Sequence, residues 1–151
     1  MTAGGQDIES LFRFFNEIGI IAQLSGNAFE RVMPEGMTLP QFVVLNHLTR
    51  LGGNKTPLDL ARAMQVTKGT MTNTLGHLER AGHVSIVPDS QDRRSKRVDI
   101  TEEGRAARER AIWALAPELN EIGQSFSSQI VRELLPHLAT LRAILDSRRS
   151  G

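Results

Sequence analysis

The stretch from Thr56 to Ile100 decides the fold. It opens Thr56-Pro57-Leu58-Asp59 and continues Leu60-Ala61-Arg62-Ala63-Met64-Gln65-Val66. It then runs Thr67-Lys68-Gly69-Thr70-Met71-Thr72-Asn73-Thr74-Leu75-Gly76-His77-Leu78 to Ala81-Gly82, and closes on Val84-Ser85-Ile86-Val87-Pro88 and Lys96-Arg97-Val98-Asp99-Ile100. A threonine, a proline and an acid two residues later form the start of a helix: cap, first turn, and a carboxylate for the free N–H groups. The helix is short. Gln65-Val66 turns the chain, and Thr67 caps a second helix whose inner face is Met71, Leu75 and Leu78. Gly82 falls where a helix C-terminus needs a left-handed residue. Two alternating apolar segments around a polar loop read as a hairpin. The spacing therefore predicts helix, tight turn, helix and a β-hairpin wing, with small Ala61 and Ala63 allowing the two helices to approach.

The outward side of the second helix carries Lys68, Thr70, Thr72, Asn73, Thr74 and His77 after the capping Thr67. A merely solvated face would favour Glu, Lys and Gln, because threonine lowers helix propensity. Short polar side chains instead suit a helix lying deep in a major groove, where hydroxyls and an amide reach base edges and Lys68 at the N-terminus meets phosphate. The wing loop carries Arg93, Arg94, Lys96 and Arg97 against Asp89 and Asp92. Arginine suits a narrow minor groove, and both cations suit phosphate. Asp92 is placed to orient a neighbouring arginine by a charge-assisted hydrogen bond.

Outward from this segment, Thr38 caps a helix through Gln41 to Leu51, with Phe42, Leu45 and Leu48 inward, and Gly52-Gly53-Asn54 ends it. Thr101-Glu102-Glu103 starts another that carries Ile112, Trp113 and Leu115 and meets Pro117. A long N-terminal helix over about Asp7–Val32 places Ile8, Leu11, Phe15 and Ile18 on a heptad-like seam, with a second stripe of Phe12, Ile20, Ile21 and Leu24 beside it. The C-terminal stretch repeats the pattern with Ile130, Leu134, Leu138 and Leu141, interrupted or kinked by Pro136. Helices apolar on two sides need cover on two sides, which a second subunit supplies readily. The expected organisation is an N-terminal dimerisation helix over 1–36, a winged helix-turn-helix over 37–101, and linker and dimerisation helices over 102–151. The fold class is mainly α, with a small β component.

Composition narrows the function. The 151 residues suit one domain, or a small domain with a dimerisation appendage. Eighteen Lys+Arg against 17 Asp+Glu leave a formal charge of +1, so an anion-binding surface must arise from uneven placement of charge. The chain has no cysteine, which excludes disulfides, thiolate-ligated metals and thiol redox sensing. No apolar run is long enough for a membrane span, and a cytoplasmic location is expected. The histidines His47, His77, His83 and His137 have no metal-ligand spacing, and no phosphate loop or nucleophile motif occurs. Neither an enzyme nor a cofactor or metal is expected.

The run Asp92-Arg93-Arg94-Ser95-Lys96-Arg97-Val98-Asp99-Ile100-Thr101, followed by Glu102-Glu103-Gly104, resembles the wing signature of MarR-type transcriptional regulators. Leu60-Ala61 through Leu78-Glu79-Arg80-Ala81-Gly82 resembles their recognition unit, and Leu39-Pro40-Gln41-Phe42 with Val44-Leu45 their second helix. The element order agrees over roughly residues 7–147. The resemblance implies a homodimer with interlocked terminal helices on a palindromic double-stranded operator, Arg94 in the minor groove and Asp92 holding the wing arginines. It also implies repression and release by a small aromatic effector, for which Phe15, Ile18, Phe42, Leu45 and Trp113 are candidate pocket residues. Gln65 departs from the pattern, standing where related turns often have glycine. The competing reading is a winged-helix module that binds protein, or DNA architecturally, without a ligand.

Overall fold

The computed structural model describes residues 4–149. Helix α1 spans Gly4–Val32 and is followed by a single 3-10 turn at Pro34–Gly36. Then come α2 (Leu39–Leu51), α3 (Pro57–Met64), α4 (Lys68–Arg80), β1 (Val84–Pro88), β2 (Lys96–Ile100), α5 (Glu102–Ala114), α6 (Ala116–Ser125) and α7 (Ser128–Arg149). The chain divides into two compact units, Met1–Ala114 and Leu115–Gly151. The first contains a winged helix-turn-helix.

Each helix of that motif starts where its sequence provides partners for free N–H groups. Thr38 Oγ1 accepts from Gln41 N at 3.4 Å while Thr38 N donates to Gln41 Oε1 at 3.3 Å. Thr56 and Asp59 make the same reciprocal pair, both at 3.0 Å. The Thr56 N–H is the main cause that holds the Asp59 carboxyl below its ordinary pKa. Thr67 Oγ1 accepts from Thr70 N at 3.1 Å at the start of α4. Between α3 and α4, Gln65 takes the left-handed conformation at φ 55°, and the Val66 N–H closes on Ala61 O at 3.1 Å. This is the strained turn expected of a non-glycine residue at that position.

The core joins α2, α3, α4, both strands and α5. Leu45, Leu48, Leu60, Met71, Leu78 and Val98 are its largest fully buried side chains, with Val44, Leu75, Val84, Ala107 and Ala111 around them. Burial of each large aliphatic side chain contributes roughly 1.5–3 kcal/mol. Strands β1 and β2 pair antiparallel from Val84↔Ile100 to Pro88↔Lys96. The free edge of β2 takes a third partner: Lys55 N donates to Val98 O at 3.3 Å, and Val98 N to Lys55 O at 2.7 Å.

Only the C-terminal end of α1 joins this core, where the Phe29 and Phe42 rings meet at a 60° tilt with centroids 4.7 Å apart. Further toward its N-terminus, Ile8, Leu11, Phe12 and Phe15 are exposed and Ile18 is half-buried. In the second unit Ile130, Leu134 and Leu138 are exposed and Leu141 half-buried. Pro136 does not interrupt α7, which runs through it from Ser128 to Arg149. Loss of one N–H is tolerated at that point, and the Thr140 hydroxyl donates to Pro136 O at 3.0 Å.

The start of α5 packs against the exit of α4. Thr101 Oγ1 donates to Gly82 O at 2.6 Å and accepts from Gly104 N at 2.9 Å. A side chain at position 104 would collide with the His83 carbonyl and the Ile100 side chain. Gly104→Ala is therefore expected to destabilise the protein by about 1–3 kcal/mol through overpacking, although alanine gains nearly 1 kcal/mol in helix propensity. Denaturant unfolding checks this; an unchanged or raised midpoint would contradict the contact.

Candidate nucleic-acid interface

Helix α4 turns Met71, Leu75 and Leu78 into the core and leaves Lys68, Thr70, Thr72, Asn73 and His77 exposed. One expected member of the outer face is misplaced: Thr74 is only 8% exposed. It stands three residues after Met71 and four before Leu78, which puts it on their side of the helix. Its hydroxyl is satisfied by donating to Thr70 O at 3.1 Å. Thr74 is thus part of the core-facing side.

Two of the remaining threonines have already used their hydroxyl donors. Thr67 Oγ1 donates to Thr70 Oγ1 at 2.9 Å, and Thr72 Oγ1 donates to Lys68 O at 2.9 Å. Toward solvent, Thr67 and Thr72 offer methyl groups and oxygen lone pairs. His77 Nδ1 accepts from the Arg80 guanidinium at 3.2 Å. The Asn73 amide makes no hydrogen bond among the described residues, so both its donor and its acceptor are open. That is the pairing a base edge requires for bidentate reading.

The wing closes by backbone bonds, Asp89 N to Ser95 O and Ser95 N to Asp92 O, both at 2.9 Å. Arg94 projects from it with its side chain 93% exposed. Asp92 Oδ1 accepts from Arg94 N at 3.1 Å and from Arg94 Nε at 3.3 Å. So exposed a pair adds little stability; its effect is to bias the direction of the guanidinium. Arg93 and Lys96 are exposed and enter no ion pair among the described residues. A groove of about 710 Å³ lies between the helix-turn-helix and the wing, and Thr56, Lys68, Thr72, Arg94, Ser95 and Lys96 all border it. Lys68 and Thr72 of the recognition face and the wing tip therefore border one concave surface, in which three cations face a single carboxylate, that of Glu79.

Arg97 does not belong to that surface as expected. Its side chain is 31% exposed; Nη1 donates to Asn54 O at 2.9 Å, and Nε lies 3.3 Å from Asp89 Oδ1. The Arg97 guanidinium, helped by backbone N–H groups of Gln91 and Asp92, holds the Asp89 carboxyl below its ordinary pKa. Asn54, Asp89 and Asp99 were not singled out by sequence reasoning. Asn54 was legible only as part of a helix stop, and its φ of 60° is one that asparagine tolerates better than most residues. The five residues expected to line an effector pocket differ widely in exposure. Leu45 has 0% accessible surface inside the core, whereas Trp113 is 73% exposed.

Fold and surface together define a winged helix-turn-helix protein. Residues 35–95 match the model of the MarR family. Over 96 residues the chain is 36% identical to the transcriptional activatory protein BadR of Rhodopseudomonas palustris, covering 62% of this chain and 53% of that relative. The matched stretch thus spans about half of the relative's length. The transcriptional regulator BldR from Sulfolobus solfataricus superposes with a TM-score of 0.77 at 26% identity, covering 92% of this chain and 99% of that one. A mutant MarR from E. coli complexed with operator DNA shares the fold at a TM-score of 0.67 and 24% identity, over 87% of this chain and 95% of that one. Residues 35–95 thus resemble the MarR family, and the chain shares its fold with the transcriptional regulator BldR and with MarR from E. coli.

Asn73→Ala is expected to change DNA sequence preference while leaving thermal stability unchanged, because the amide is exposed and unpaired. Selection from randomised duplexes with both proteins checks this. Identical selected sequences would remove Asn73 as a reader.

Proposed function

We propose that the protein is a sequence-specific, double-stranded-DNA-binding transcriptional regulator that acts as a homodimer on a palindromic operator. The observation that carries this reading is the groove that Lys68 and Thr72 of α4 share with Arg94 and Lys96 of the wing, on a helix whose exposed face also carries the open amide of Asn73. In this reading α4 enters the major groove and Arg94 reaches the flanking minor groove, where negative potential is greatest when the groove is narrow. The exposed stripes Ile8, Leu11, Phe15 and Ile130, Leu134, Leu138 support a second copy as their cover, since soluble monomers rarely leave such apolar surface open. Two-fold symmetry in the protein is then matched by two-fold symmetry in the operator. Regulation by occlusion makes the protein a repressor where the operator overlaps a promoter. The relative named as activatory shows the other sign within similar chains. The small aromatic effector forms no part of the proposal: of its expected residues, Leu45 is sealed in the core and Trp113 is exposed. A cytoplasmic location accords with a DNA target, and among the described residues no helix is long and apolar enough to cross a membrane.

Fluorescence anisotropy with a duplex selected by the wild type tests this reading. Arg94→Ala is expected to weaken binding by about 1–3 kcal/mol and to lower the salt slope by about one. Asp92→Ala is expected to weaken it as well, although it removes a negative charge. Equal affinity of the wild type for selected and scrambled duplexes would favour an architectural module instead. Sedimentation at micromolar concentration is expected to show a dimer, and Phe15→Glu to dissociate or aggregate it, because a buried unpaired charge is costly. A well-folded wild-type monomer would contradict the dimer.

A further inference from the structure

We propose that Arg97 is a positioning residue: together with Asp89 and Asp99 it clamps the wing root to the α2–α3 turn, and so sets where Arg94 lies, without itself contacting DNA. The inference rests on the DNA-binding reading above and adds a residue role to it. The peptide groups flanking Asn54 are gripped by two side chains of β2. Asp99 Oδ1 accepts from Asn54 N at 2.6 Å, and Arg97 Nη1 donates to Asn54 O at 2.9 Å. Residues 97 and 99 share one face of the strand, and Val98 between them packs into the core from the other. Gly53 permits this approach, since a side chain there would run into the Asp99 carboxylate. Asp89, the first residue of the wing loop, completes the clamp from the other strand, with its carboxylate 3.3 Å from Arg97 Nε.

The geometry makes the clamp a fulcrum. A two-stranded hairpin is marginally stable alone, and beyond Arg97 the wing has no cover from the core. Arg94 stands three residues further out, at most about 10 Å away along the chain, so a 20° tilt at the root displaces it by up to about 3 Å. A shift of that size takes a guanidinium out of hydrogen-bonding range. The half-buried Arg97 donates from Nη1 to Asn54 O and is ion-paired through Nε with Asp89, although that buried Nε makes no aligned hydrogen bond, which leaves the exposed Arg93, Arg94 and Lys96 to meet phosphate or groove.

A four-protein cycle tests the assignment: wild type, Arg97→Ala, Arg94→Ala and the double variant, titrated into the selected duplex at several salt concentrations. Arg97→Ala is expected to weaken binding about tenfold, the size of a lost contact, with the salt slope unchanged. The double variant is expected to bind no worse than the weaker single variant, because Arg94 contributes only when the wing is held. Additive losses with a lower salt slope would overturn the proposal and make Arg97 a phosphate contact. Arg97→Lys separates the two again. It keeps the charge but lacks the planar fork, so positioning expects no rescue and a simple charge contact expects recovery. Asp89→Asn raises the net charge by one and is nevertheless expected to weaken binding; tighter binding would overturn the clamp. This variant also carries the test if Arg97→Ala does not fold.

Amide hydrogen exchange on DNA-free protein reads the clamp independently of any binding. Residues 89–97 are expected to exchange faster in Arg97→Ala and Asp89→Asn, with Leu45 and Leu48 as protected as in the wild type. Unchanged exchange in the wing would overturn the clamp whatever the DNA result. Faster exchange in a protein whose wild type selects no DNA would establish the clamp and reject the DNA-binding reading.

Discussion

Strand β2 is held on both edges, and the rest of the winged helix takes its geometry from that fact. On one side it pairs with β1 through five register positions, and on the other with Lys55, through the Val98 N–H and C=O. Val98 itself is fully buried in the core, where β2 packs against α2 and α3. A two-stranded ribbon would be free to twist away from the helices. The third partner, at the entrance to α3, fixes it to the segment that also carries the Thr56–Asp59 cap. Wing, α3 and α4 thereby share one reference frame, and a surface assembled from all of them can be rigid before any ligand arrives. Rigidity matters because side chains that must be ordered on binding cost affinity.

The chemistry of the surface follows from how its polar groups are already engaged. On α4 the hydroxyls of Thr67, Thr72 and Thr74 are spent within the helix, while the Asn73 amide is open. On the wing, Arg97 is committed inward while Arg94, Arg93 and Lys96 face solvent. The surface thus separates side chains that hold the frame from those available to a polyanion. A chain with a net charge of only +1 achieves a basic face in this way, by gathering cations at one hairpin and balancing them elsewhere.

Most of the frame could be read from local rules. The three threonine caps, the left-handed Gly82 and the alternation in both strands occur where the physical chemistry of N–H groups and side-chain period places them. The strain at Gln65 was equally legible, since no side chain but glycine adopts that conformation freely. Thr74 was legible and misjudged: its polarity suggested an outer position, but its three- and four-residue spacing to Met71 and Leu78 places it inward. Arg97 was not legible. Its partner Asn54 lies 43 residues away, and nothing in a basic loop distinguishes the cation that folds back from those that do not. Apolar identity alone likewise does not separate a core residue such as Leu45 from a surface residue such as Trp113. Pro136 was overvalued as a breaker, since one missing N–H in an exposed helix removes only one bond.

The central claim is that α4 and the wing act as one rigid reading surface, doubled by a second copy of the chain. The most direct measurement is a hydroxyl-radical and base-methylation footprint on duplexes selected from random sequence. The account predicts two symmetric half-sites whose centres lie about one helical turn apart, or a multiple of it, each with a major-groove core and protection of the adjacent minor groove. A single unsymmetrical footprint, or protection confined to the major groove, would contradict it.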